Sequence, residues 1–171
     1  MRKVRTIAAL VVALSLGLPA SQPSDATTLG TNMAVSFLTA VTMTKNSDID
    51  FGTVKNDSCT YTISTTGAVT GSPGGTCAPL SGTTSAANIT IAGSASQSVV
   101  ISVAGYTAAS TVTPSNAKCS YNGGAEGSCT ITGAAPGAGK TLLIGVDVTT
   151  AGTETGGVAY QPTFTVTANY Q

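Results

Sequence analysis

The residues of this chain whose types and spacing could do chemistry are few. The run Ala134-Ala135-Pro136-Gly137-Ala138-Gly139-Lys140-Thr141 fits the loose form of a phosphate-binding loop, in which glycine amides cradle phosphates and a lysine meets the terminal ones. That chemistry needs a helix opening directly after the loop, whereas Leu142-Leu143-Ile144-Gly145-Val146-Asp147-Val148 reads as a strand. Alanine also stands at position 134, where the stricter pattern has glycine. The run therefore reads as a Gly/Pro hairpin turn between two strands, with no affinity for nucleotides. Asp48 and Asp50 are two apart, which puts both carboxylates on one face of a strand; such a pair can chelate a cation but more commonly marks a solvated edge. The chain has no histidine, so the usual general base is missing and Ser-His-Asp and Cys-His arrangements are excluded. No enzyme activity, cofactor or metal centre is expected.

The four cysteines, Cys59, Cys77, Cys119 and Cys129, all lie beyond the apolar N-terminal run. An even count in an exported chain argues for disulfides. A zinc site is disfavoured, because no two cysteines have the C-x-x-C spacing and no histidine can help. Of the three pairings that four cysteines allow, Cys59 with Cys77 and Cys119 with Cys129 is favoured. Each bridge then closes a local loop across turn-rich sequence, Ser72-Pro73-Gly74-Gly75 or Asn122-Gly123-Gly124, and restricts the unfolded chain by about 3 kcal/mol. Asn56-Asp57-Ser58 and Asn88-Ile89-Thr90 are formal glycosylation acceptors, a pattern frequent by chance that supports no mechanism.

The elements that must position these residues begin after a leader. Met1-Arg2-Lys3-Val4-Arg5 is basic, and the apolar run Ile7–Leu18 that follows is too short to span a bilayer comfortably. Small residues come next, so residues 1–26 read as a secretory signal peptide, cleaved after Ala20 or after Ala26. Export and no membrane span after cleavage are the expectation. Removing 26 residues leaves 171 − 26 = 145, enough for a single domain, 27–171, with a sizeable core. That segment carries four lysines against six carboxylates, 4 − 6 = −2, which offers nothing to nucleic acid. Only 8% of the chain is charged, a hydroxyl-rich surface suited to life outside the cell.

Short runs rich in Val, Ile, Thr and Tyr alternate with Gly, Pro, Ser and Asn, and no segment shows a 3.6-residue apolar stripe. The pattern predicts strands at 33–44, 48–54, 59–69, 86–92, 97–104, 109–113, 127–132, 140–150 and 157–170. Many short strands without intervening helices predict an all-β, antiparallel β-sandwich. There is no tryptophan, so an antibody-type Cys-Trp-Cys core is not supported. In the last run, Tyr160, Phe164, Val166, Ala168 and Tyr170 share one parity and should line one apolar face. A terminal segment built for burial suggests a strand that completes a sheet or is gripped by a partner.

Three features together carry a resemblance: Asp48-Ile49-Asp50-Phe51-Gly52-Thr53-Val54, the strand centre Ile144-Gly145-Val146, and the alternating Thr163–Tyr170. They resemble a secreted bacterial family catalogued as a domain of unknown function (DUF4402-like), which in turn is similar to chaperone–usher pilus subunits. The resemblance implies an incomplete immunoglobulin-like sandwich, completed by strand exchange and assembled into surface fibres with neighbouring copies of itself. It also implies a periplasmic chaperone and an outer-membrane usher as partners, with Phe164, Val166, Ala168 and Tyr170 as the recognised strand. Two disulfides, and no long N-terminal extension, set this chain apart from many pilus subunits.

Leu29, Met33, Val35 and Phe37 share one parity and form a candidate donor strand for a neighbour's sheet. The same alternation equally suits the first strand of the domain itself, continuing through Val41 and Met43. Two functions remain open at this point: a structural subunit of a cell-surface fibre or coat, passing through the periplasm, and a monomeric secreted or cell-envelope binding module for a ligand such as carbohydrate. The second would call for an aromatic platform, and the tyrosines available are Tyr61, Tyr106, Tyr121, Tyr160 and Tyr170.

Overall fold

Leu142, Ile144, Val146 and Val148 are buried, alternating with Thr141, Leu143, Asp147 and Thr149, and the pattern produces the ten-residue strand around which the protein is organised. The computed structural model describes residues 34–171; the expected signal peptide, 1–26, and the donor candidates Leu29 and Met33 lie outside the described residues. Twelve strands follow one another: β1 (Thr42–Ser47), β2 (Thr53–Val54), β3 (Thr60–Ile63), β4 (Val69–Ser72), β5 (Pro79–Ser81), β6 (Ala87–Ala92), β7 (Val99–Thr107), β8 (Thr113–Tyr121), β9 (Gly127–Ser128), β10 (Ile131–Gly133), β11 (Lys140–Thr149) and β12 (Thr163–Tyr170). Among the described residues there is no helix. Residues Ser36–Gln171 form one compact unit, an all-β, immunoglobulin-like antiparallel sandwich.

In the larger sheet β11 pairs β8 along one edge and, along the other, first β6 and then β3. β1 lies outside β6, β4 outside β3 and β9 outside β8. The smaller sheet has the order β10-β7-β12, and β2 and β5 make a separate ribbon. Gly145 marks the point where β11 changes partner from β6 to β3. A side chain there would press on the Ile63 carbonyl and stand 2.7 Å from the Ser64 carbonyl carbon, so the Ile-Gly-Val centre is a requirement of close backbone approach. The first core cluster joins Ile89, Ile91, Val99, Ile101, Tyr121, Leu142 and Ile144 between the sheets. The second gathers Tyr61, Ile63, Val112, Val146 and Val148 around the Cys59–Cys77 bridge.

Several strand limits differ from the sequence-based expectation. The first strand begins at Thr42, not 33, because residues 34–40 are exposed and unpaired. The 59–69 run is split into a hairpin by a turn at Gly67, where φ is +83°. Residues 109–113 belong mostly to a loop, and the real strand, Thr113–Tyr121, is hidden in sequence by Pro114, Ser115 and Asn116. Asn116 takes a φ of +49°, close to a bulge against Gly145 and Asp147, which lets turn-type residues sit in a strand. Residues 134–139 do turn, but not within a hairpin: they cross from β10 in the smaller sheet to β11 in the larger.

Candidate functional site

β1 and β12 are the outermost strands on one flank of the two facing sheets. β1 pairs only β6, and β12 only β7, so among the described residues no strand spans the gap between them. On β12, Phe164, Val166, Ala168 and Tyr170 face the first core cluster, yet all four are only half-buried, whereas Val99 and Ile101 on adjacent β7 are fully buried. On β1, Met43 stands opposite Ile91 and therefore on the core side of its sheet; it is nevertheless 44% exposed. The flank is an apolar floor that solvent partly reaches.

The two edges differ in how they meet solvent. β1 carries Lys45, ion-paired with Asp48 at 2.7 Å, and an irregularity between Lys45 and Ser47. A charge and a bulge are ordinary means of blunting a sheet edge. β12 has eight residues without a charge or a proline, an open template for another strand. Its Tyr170 hydroxyl donates to the Thr39 carbonyl and accepts the Ser94 amide. Among the described residues this is the hydrogen bond that joins the chain entering β1 to β12, and it closes the flank at that end. At the other end the Phe164 ring tilts against Tyr106, centroids 6.3 Å apart.

Upstream of β1, Val41 packs on the first core cluster, but Phe37 is 91% exposed, and Val35 and Leu38 are also exposed. The alternative in which Val35 and Phe37 start the domain's own first strand is thus not realised. Tyr160 does not join the face formed by Phe164 to Tyr170; it precedes the strand, packs on the second core cluster and accepts the Thr155 amide. Sequence reasoning missed Met43 as a groove residue and Thr39 and Ser94 as partners of Tyr170. Only the parity of Met43 with Phe37 and Val41 hinted at the first, and nothing local signals the others.

The remaining chemical candidates are structural. The structure joins Cys59 to Cys77 and Cys119 to Cys129, and no cysteine is free. After the lookalike phosphate loop comes strand β11, not a helix N-terminus. Asp50 accepts the Gly52 amide at 2.8 Å and pairs with Ser85 through its backbone, so the acidic-Phe-Gly motif builds a turn. The sequon residues Asn56 and Asn88 are hydrogen-bonded to Glu154 and Asn46. At the pole of the sandwich away from Tyr170, Glu154 accepts the Thr111 hydroxyl and the Ala151 and Gly152 amides at 2.7–2.9 Å. The Thr111 bond, then that from Ala151, draws its pKa down to about 2. Glu126 is also lowered, chiefly by the Thr65 amide, and burial raises Tyr61 and Tyr121. Among the described residues no cluster of ligands suits a metal ion.

Residues 41–170 match the family model described as Domain of unknown function (DUF4402). The chain belongs to this family. The match runs from the entry into β1 to the end of β12, so both walls of the open flank lie within the DUF4402 domain. No curated protein and no solved structure matches the chain. Two disulfides, with no helix among the described residues long and apolar enough to cross a membrane, are compatible with an exported protein.

Proposed function

We propose that this protein is a structural subunit of a cell-surface fibre, a pilus-like or coat-like polymer whose copies join by strand addition. The reading rests on one observation: β12 is a long, uncharged, unpaired edge beside a half-covered apolar floor, in a chain that holds Phe37 in water ahead of β1. Unpaired backbone groups and exposed apolar surface are both costly, and an extended segment laid on the edge relieves both. Residues 27–38 contain no charge and four apolar side chains of one parity at 29, 33, 35 and 37, which suits such a segment. The role is structural rather than catalytic.

Before joining, the open flank needs cover. A periplasmic chaperone that caps β12 and an outer-membrane usher that passes the subunit on are the partners this reading calls for. The subunit then moves from periplasm to surface after loss of its leader. Electron microscopy of the purified full chain tests the proposal: rods or strings of beads are expected, and they should vanish on deletion of Thr27–Val35. A stable monomer with no tendency to polymerise overturns it and favours a self-contained binding module.

A further inference from the structure

We propose that Met43 is an oxidation site that controls the open flank: conversion of its thioether to the sulfoxide by a peroxide leaves the subunit folded but weakens its acceptance of a second copy. The inference rests on the strand-addition reading and adds a means of regulating it.

Met43 is the one methionine among the described residues. All four cysteines are held in disulfides, so no thiol of this domain competes for an oxidant. β1 is an edge strand paired only with β6. Met43 stands on it opposite the fully buried Ile91, yet is itself 44% exposed. Ile91 belongs to the core cluster on which Val166, Ala168 and Tyr170 of β12 also pack. Met43 thus sits at the rim of the gap between β1 and β12, where an incoming strand would cover it. A flexible thioether adapts to such a changing neighbour better than a branched side chain does.

The same position leaves the side chain within reach of a small oxidant. Hydrogen peroxide transfers one oxygen to the sulfur: an S–O bond forms as the O–O bond breaks, sulfur gives up two electrons, and the peroxide departs as water. Surroundings oxidising enough to keep two disulfides favour the reaction. The product is a polar side chain whose oxygen is a hydrogen-bond acceptor. While the flank is open that oxygen keeps its water, so the fold loses little. Beneath an added strand it loses that water, and the side chains of Ile91, Val166 and Ala168 offer it no donor. An unpaired buried acceptor costs enough to weaken association about tenfold or more. By the same geometry, association shields Met43 from the oxidant.

The test is partial oxidation of the full chain with hydrogen peroxide, followed by separation of polymer from monomer and peptide mapping of each. Met43 sulfoxide is expected to form in the folded monomer with the urea midpoint nearly unchanged, and to be about tenfold enriched in the monomer fraction. Treatment with both classes of methionine sulfoxide reductase should return those chains to the polymer. Met43→Leu, whatever its own level of association, should show no change in association on peroxide treatment. Polymer assembled beforehand should oxidise at Met43 more slowly than monomer. The proposal fails if Met43 stays reduced in the folded monomer, if its oxidation lowers the urea midpoint markedly, or if the sulfoxide is spread equally between the fractions. It fails also if assembled polymer oxidises there as fast as monomer, or if Met43→Leu loses association on treatment as the unaltered chain does. An untreated chain that never associates removes the strand-addition reading itself, and this role of Met43 with it.

Discussion

The Tyr170 hydroxyl occupies the space that a side chain on Gly93 would need, with Pro136 3.3 Å away on another side. From that place it meets the Thr39 carbonyl and the Ser94 amide. One phenol thus ties together the chain entering β1, the loop between β6 and β7, and the end of β12. The loop's lack of a side chain at position 93 is what lets the phenol in.

Gly93→Ala should therefore destabilise the protein by about 2 kcal/mol, because the phenol or the loop must shift. Tyr170→Phe should lose about 1 kcal/mol from the missing hydrogen bonds. Once the hydroxyl is gone, the nearest atoms to a new methyl group stand at 3.3–3.4 Å, so the double variant should cost less than the two changes added together. Urea unfolding of the four proteins in a cycle measures this coupling; simple additivity would refute the arrangement.

The parts of this fold that could be read from sequence are those with a strict period. Ile89 and Ile91, then Leu142, Ile144, Val146 and Val148, then Phe164 to Tyr170 recur at every second position, and each run became a strand facing the core. The local cysteine pairs were legible because turn residues lie inside each loop. Thr113–Tyr121 was not, since its strand conformation is imposed by seven residue pairs with β11 against the preferences of Pro114 and Asn116. The half-exposure of Met43, and the Tyr170 contacts, come from tertiary placement and leave no local trace. Parity identified the apolar face of β12, but the gap beside it depends on which strands pair.

Gly145→Ala is expected to be among the most damaging single-methyl changes available. The new side chain would press on the Ile63 carbonyl and approach the Thr65 amide nitrogen at 3.0 Å, and backbone in a paired strand cannot easily give way. A loss of about 3 kcal/mol or more is expected, read as a large fall in the urea midpoint with the slope unchanged. A tolerated alanine would mean that β3 and β11 do not approach so closely.

Glu154 gives the protein an acid-sensitive pole. Its folded-state pKa is about 2 against the ordinary 4.5, so its contribution is fully present above pH 4.5 and fades as the pH falls toward 2. Melting temperatures of the wild type and Glu154→Gln should differ near neutrality and converge through that interval, as the wild-type carboxylate protonates. Glu126, lowered in both proteins, cancels in the comparison. A constant difference down to pH 2 would show that the Thr111 and Ala151 contacts do not depend on the charge.

Donating and receiving should be separable by mutation. Val166 faces the half-covered floor and Thr167 faces solvent, so Val166→Asp sets a carboxylate in the seat of the incoming strand, where desolvation is costly, while Thr167→Asp leaves that seat apolar. Deleting Thr27–Val35 removes the segment but leaves β12 intact. Each defective protein alone should stay monomeric by light scattering, Val166→Asp because it cannot receive and the deletion because it cannot donate. Mixed together they should form dimers of one each and nothing longer, since the Val166→Asp copy still donates to the intact flank. Thr167→Asp should polymerise as the unaltered chain does. If the deletion protein polymerises by itself, residues 27–35 are not the donor; if Thr167→Asp fails as completely as Val166→Asp, the inward face of β12 is not the surface that receives.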